Sequence, residues 1–220
     1  MAEIGLYEAM RTTRAVRRLR PDPIPDAVLR RVIEAATWAP SGGNRQPWRI
    51  VVVRDPQKKQ RLRELYTGPW QRYAQGQRRM LERLPADSRA KGERSLRAAD
   101  HLAAHLDEAP ALLVFCFNPE LLAITDLSLG RPSVVGGASI YPAVENLLLA
   151  CRAEGLGCVL TTLLCVAEET IRPLLELPDP WATCAVVPIG YPAGSGHGPV
   201  ARKPVAEMAY LDRWDQALFE

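Results

Sequence analysis

The chain has 220 residues, 47% hydrophobic and 24% charged, which fits one ordinary folded domain with a sizeable core and excludes a disordered or fibrous protein. Its net charge of +3 is too mild to imply nucleic acid by itself. No apolar run is long enough to cross a bilayer, and the opening MAEIGLYEAM lacks a charged-then-apolar leader pattern, so a cytoplasmic protein is expected.

A first helix is expected over about residues 3–12. Arg11, Arg14, Arg17, Arg18 and Arg20 follow within ten residues, a run that is either a solvated face or an anion site. Arg20-Pro-Asp-Pro-Ile-Pro25 cannot continue a helix, because each Pro lacks an amide donor and restricts the residue before it. A second helix starts near Asp26, with Leu29, Val32, Ile33 and Ala36 forming one apolar stripe. After a loop, Trp48 to Val53 reads as a buried strand. Asp55-Pro56 caps a helix to about Tyr66.

Residues 67–95 are polar, Arg-rich and interrupted by Gly68-Pro69, Gly76, Pro85 and Gly92; they read as a mobile lid with partial helix. A helix over about 95–107 precedes a second buried strand, Ala111 to Phe117. A strongly periodic helix then carries Ile140, Val144, Leu147, Leu148 and Cys151 and stops at Gly155; it belongs in the core or at a subunit interface. Gly157 to Leu164 is a third strand, Glu168 to Leu177 a short helix, and Ala182 to Ile189 a fourth strand. Tyr210, Leu211, Trp214 and Phe219 in the tail need a cover. These elements make an α+β domain over residues 1–220, one sheet flanked by helices, with no repeat and no linker. The five cysteines include no C-x-x-C and read as reduced small hydrophobes; with three scattered histidines they make no structural metal set.

Three segments could carry chemistry. In Arg14-Ala-Val-Arg17 a guanidinium pair at i, i+3 can close on one phosphate. In Pro40-Ser-Gly-Gly-Asn-Arg-Gln-Pro-Trp48 two glycines allow close backbone approach, and the Asn44 amide offers a donor and an acceptor to a flat heterocycle; a plain helix-to-strand loop is the alternative. Leu160-Thr-Thr-Leu163 leaves a strand with amides that could face a ligand, or simply ends it.

Taken in order, these segments resemble the nitroreductase family of FMN-dependent oxidoreductases. TRAVRRL (13–19) resembles the family's R-[RH]-S-x-[RK]-x-F signature, departing from it at Thr13, Ala15 and Leu19. APSGGNRQPW (39–48) resembles its A-P-S-x-x-N-x-Q-P-W loop and is the most specific stretch. GASIYPAVENLLLACRAEGLG (137–157) followed by VLTTL (159–163) resembles its central helix and flavin loop, and Arg202-Lys-Pro204 its short basic R-x-P segment. The resemblance covers nearly the whole chain, least well at 67–95.

The resemblance implies a three-layer sandwich with a central, mainly antiparallel sheet, in an intertwined homodimer with the flavin between subunits. It implies that Arg14 and Arg17 bind the FMN phosphate, with Ala15 lending backbone and Arg202 completing the clamp. Ser41, Gly42 and Asn44 would line the ribityl and pyrimidine side, and Thr161, Thr162 and Leu163 the isoalloxazine. Thr13 replaces a basic residue and Ala15 removes a hydroxyl at those two contacts. The family often sets a Lys or Arg where it stabilises the reduced ring; Arg94, Arg97 and His105 are candidates. Residues 67–95 would be the lid, and 199–220 an extension packed on the partner.

The implied activity passes hydride from NADH or NADPH through FMN to small organic acceptors such as nitroaromatics or quinones, in ping-pong alternation. The flavin carries the chemistry, so no catalytic side chain and no metal is expected. No G-x-G-x-x-G follows a strand, so a Rossmann site is not indicated. Neither membrane nor nucleic acid is an expected partner. Competing readings are a reductive dehalogenase, for which Tyr66, Tyr73 and Lys91 exist without a lid Glu-x-x-x-Tyr; a flavin-destroying enzyme; a flavin-binding sensor or store without turnover; and a basic nucleic-acid binder using Arg11 to Arg20.

Overall fold

A computed structural model describes residues 4–219. Its centre is β2 (Ala111–Phe117), whose unbroken apolar run suits a strand covered on both faces. β2 pairs antiparallel with β1 (Trp48–Val53) on one side and with β4 (Ala182–Gly190) on the other. The short β3 (Gly157–Cys158) pairs antiparallel with the outer edge of β4, so the sheet order is β1-β2-β4-β3.

Alternation along β2 sorts the core into two halves. Ala111, Leu113 and Phe115 face α2 (Asp26–Thr37) and α5 (Tyr141–Ala153), where Val32, Ala36, Val144 and Leu147 are buried. Leu112, Val114 and Cys116 face α3 (Pro56–Leu81) and α4 (Ala86–Ala104), where Leu62, Tyr66, Trp70 and Leu102 are buried. This is the expected three-layer α+β sandwich. The short α1 (Leu6–Thr12) packs against α5, and α6 (Glu168–Leu174) adds Ile171 to the second half of the core. α5 ends as expected: Gly155 takes φ +72°, and the Leu156 amide reaches back to the Cys151 carbonyl at 2.8 Å.

Three expectations need correction. Within the described residues the first helix begins at Leu6; residue 3 lies outside them. The helix capped by Asp55, whose carboxylate accepts from the Lys58 amide at 2.7 Å, does not stop near Tyr66 but runs to Leu81, and α4 begins at Ala86. Residues 67–95 are therefore helical apart from 82–85. Pro69 costs one backbone bond, but Leu62, Tyr66, Trp70 and Ala74, spaced four apart, all bury against the sheet and α4. Tertiary burial outweighs the local breakers.

The third strand is also shorter than expected. It stops at Cys158, Thr161 makes an isolated bridge to Val186, and Leu163–Ala167 coil into a 3-10 turn. Val159 and Leu164 drive this departure by burying in the α3–α4 half of the core.

Outside β3, residues 13–20 run extended. The Val16 amide donates to the Cys158 carbonyl (2.9 Å) and the Arg20 amide to the Tyr191 carbonyl (2.7 Å). A Cβ on Gly157 would sit 2.6 Å from Val16 Cγ1, so only glycine lets this segment lie so close. The tail is irregular, with Met208, Trp214 and Phe219 exposed. Among the described residues no helix is long and apolar enough to cross a membrane.

Candidate functional site

Tertiary contacts sort the five clustered arginines. Arg11 pairs with Glu8, and Arg20 pairs with Asp22 while lying over the Tyr191 ring. Arg18 Nη1 is 3.4 Å from His101 Nδ1, whose ring lies 4.3 Å from that of His105, tilted by 32°. Arg14 is exposed, and its Nε donates to the Gly196 carbonyl at 2.8 Å. Arg17 is half-buried, and among the described residues no carboxylate pairs with it. Burial lowers its pKa, and the Tyr66 and Tyr73 hydroxyls oppose that shift. A half-buried guanidinium without an acid is a place where an anion from outside the chain repays desolvation.

Arg17 opens into a cleft of about 230 Å³. Thr161, Thr162 and Leu163 form one wall, so these three expected residues do meet Arg17. Tyr66, Trp70 and Tyr73 of α3, with Ala99 and Leu102 of α4, form the other. The Tyr66 and Trp70 rings stack 6.3 Å apart, and Trp70 Nε1 is tied to Asp100 Oδ1 at 3.0 Å. Thr161 is rigid: its amide and carbonyl both bond Val186, at 2.9 and 2.8 Å.

The aromatic wall is absent from the sequence-based site. Its signal is there, since Tyr66, Trp70 and Tyr73 lie at i, i+4 and i+7, but it emerges only if the helix passes Gly68-Pro69. Of the basic candidates for the reduced ring, none reaches this cleft. Arg97 pairs with Glu93, His105 with Glu108, and Arg94 is exposed away from the lining. Arg17 is the basic residue that does line it.

Arg14 and Arg17 do not form an i, i+3 fork. That spacing converges on a helix, whereas residues 13–19 are extended and the two side chains diverge. Arg14 lies against Gly196 and Gly198, with the exposed Ala15 beside it. Arg202 is exposed and bonds the Ala201 carbonyl at 2.9 Å. It lies beyond the point where the Gly198 and Val200 amides bond the Thr12 and Arg11 carbonyls, so the tail runs away from Arg17.

The PSGGN loop lies apart from this cleft, and none of its residues lines it. Gly43 and Asn44 take φ +58° and +53°. Ser41 Oγ accepts from the Gln46 amide (3.0 Å), Asn44 Oδ1 accepts from Gln46 Nε2 (3.1 Å), and the Gly42 amide donates to Ser139 Oγ (3.0 Å). The loop is thus held against Ser139, just before α5. It leads into β1, at one sheet edge, while Thr161 flanks β4 at the other. Three strand spacings, about 14 Å, separate β1 from Thr161 across the sheet, and the loop lies beyond the Trp48 end of β1 while Thr161 is level with Val51.

Burial pushes the Cys116 thiol up to about 12 and raises that of Cys184 as well, so a thiolate is disfavoured. Among the described residues no three His, Cys, Asp or Glu side chains group to hold a metal.

The model of the nitroreductase family matches residues 10–191. A Thermus thermophilus protein named NADH dehydrogenase is 37% identical over 201 residues, which cover 89% of this chain and 90% of that protein. An iodotyrosine deiodinase of Nematostella vectensis is 28% identical over 93% of this chain and 74% of its own length. Among solved structures, the NADPH:FMN oxidoreductase of Vibrio harveyi, complexed with NAD+, has the same fold. It matches with a TM-score of 0.67 at 22% identity, over 95% of this chain and 77% of that one.

Proposed function

This chain belongs to the nitroreductase family of oxidoreductases, and we propose that it binds FMN and passes hydride from NADH or NADPH to small organic acceptors such as nitroaromatics or quinones. The observation that carries the reading is Arg17: a half-buried cation without an acid partner, facing Thr161, Thr162 and Leu163 across one cleft. The residues present fit the group. Donors line the cleft, aromatic rings can contact a flat heterocycle, and a Gly-Gly loop with a preset Asn44 waits on another face.

Bound FMN would supply two-electron chemistry that no side chain here offers. Arg17 would face its negatively charged edge, Thr161, Thr162 and Leu163 would line its ring, and Arg14, with the Ala15 backbone and Arg202, would serve the phosphate. Ser41, Gly42 and Asn44 would come from the second subunit of a homodimer, because the same chain holds them at the opposite sheet edge. Support for that second copy comes from an apolar groove of about 540 Å³ between α1, α2 and α5. Leu6, Trp38 and Leu149 line it, with Trp38 72% exposed. One space serving donor and acceptor in turn would give ping-pong kinetics.

The name of the Thermus relative and the NAD+ complex of the Vibrio neighbour both favour a nicotinamide donor. A dehalogenase reading is less well supported. Tyr66 and Tyr73 face the cleft, but Lys91 is exposed and does not line it.

The test is the visible spectrum of the purified protein, titrated anaerobically with NADH and NADPH and then with a quinone or nitroarene. Bleaching by a nucleotide and recovery with the acceptor is expected. A flavin that neither nucleotide reduces would point to a store or sensor, and a colourless protein that does not take up added FMN would end the reading. Arg17→Ala should weaken FMN binding at least about tenfold, the range for a lost hydrogen bond to a charged group, with the far-UV spectrum unchanged.

A further inference from the structure

Hydrogen bonds at the inner wall of the cleft run in one direction. The Leu163 amide donates to Thr161 Oγ1 at 3.4 Å, and Thr161 Oγ1 donates to Tyr66 Oη at 3.3 Å. The phenol oxygen is thereby an acceptor, and its own proton has no acceptor among the described residues. Tyr66 is only 3% exposed, so water is a poor substitute. Arg17 lines the same cleft, and its charge acts to lower the Tyr66 pKa. Two donors therefore line one cleft, and among the described residues nothing accepts from the Tyr66 hydroxyl or the Arg17 guanidinium.

We propose that Tyr66 is a second hydrogen-bond donor to the flavin, holding together with Arg17 the negative charge that reduction adds to the ring. This rests on the FMN reading above and goes beyond it, because a neutral phenol shares a role that family resemblance assigns to a lysine or arginine. The division has a physical basis. A second buried cation would repel Arg17 and cost desolvation. A phenol gives a directed hydrogen bond without either penalty. Its donor strength is raised by the Thr161 hydroxyl and Leu163 amide that polarise it in series. Burial is the main influence on its acidity and raises its pKa, while the Thr161 bond and the Arg17 charge act the other way; the phenol keeps its proton over the working pH range.

The experiment uses the full chain loaded with FMN and compares the parent with Tyr66→Phe, Thr161→Val and Arg17→Gln. The readouts are Kd for oxidised FMN by fluorescence quenching and the midpoint potential by dye equilibration. Tyr66→Phe keeps the ring and its packing. Kd for reduced FMN should rise about tenfold relative to Kd for oxidised FMN, a hydrogen bond to a charged partner, which lowers the midpoint potential by about 30 mV. Thr161→Val removes the hydroxyl that feeds the phenol and should shift the ratio the same way by a smaller factor. An unchanged ratio in Tyr66→Phe, alongside a clear shift in Arg17→Gln, overturns the role of Tyr66 and leaves the FMN reading standing. No change in Kd or potential for any of the three variants overturns the FMN reading of this cleft as well. If Tyr66→Phe does not fold, an unchanged ratio in Thr161→Val overturns the proposal by itself.

Discussion

Histidine 197 sits between the arginine segment and the core. Its Nε2 donates to the Leu156 carbonyl at 2.7 Å, and its Nδ1 is buried with no partner among the described residues. Burial lowers its pKa; the Leu156 bond opposes this, and the Arg152 and Arg14 charges reinforce it. A histidine with a folded pKa below its unfolded value of about 6.5 takes up its proton more readily when unfolded. Stability is then lost as pH falls through about 6.5, and the loss ends once pH is below the folded value. His197→Asn should lose less stability than the parent between about pH 7 and about pH 5 in urea titrations, the range over which the unfolded imidazole gains its proton. Parallel stability profiles for the two proteins would count against this account. The arginines carry a related lesson. Their charge was plain in the sequence, but what each one touches was not, because the groups that occupy Arg14 and Arg18 lie 182 and 83 residues away.

At the scale of elements, strong periodicity was a reliable guide. α5 shows why, since its two faces do different work. Leu147 is fully buried in the sheet-side core, whereas Leu149 lines the apolar groove with Trp38. Leu147→Ala should cost about 3 kcal/mol, as a fully buried leucine does when truncated, measured as a fall in the urea midpoint. Leu149→Ala should change that midpoint little when measured on dissociated chains and should instead weaken self-association. Equal losses of chain stability from both variants would show that the two faces are not distinct. α3 is the counterexample. Gly68-Pro69 signals a break, but burial of Leu62, Tyr66, Trp70 and Ala74 carries the helix through it. That burial depends on α4 and the sheet, which no local window contains.

At the scale of the molecule, the segments that bear on the proposed site lie apart within one chain. Ser41, Gly42 and Asn44 lie at one sheet edge, Arg17 and Thr161 to Leu163 at the other, and the tail leaves Trp214 and Phe219 exposed. A two-fold partner would resolve all three at once. Removing the residues after Pro204 should then shift the species seen by analytical ultracentrifugation from dimer toward monomer and lower FMN occupancy; an unaltered dimer would show that the tail does not bind the partner. By itself the sequence determined the family, the α+β layers and the segments that bear on the site, because these follow from periodicity and from short motifs in a fixed order. Only the tertiary structure decided which of those residues share a cleft. It separated Arg14 from Arg17 by laying their segment out extended against β3, and it brought Tyr66 to Thr161 across 95 residues of chain, a contact made by packing rather than by any spacing along the chain.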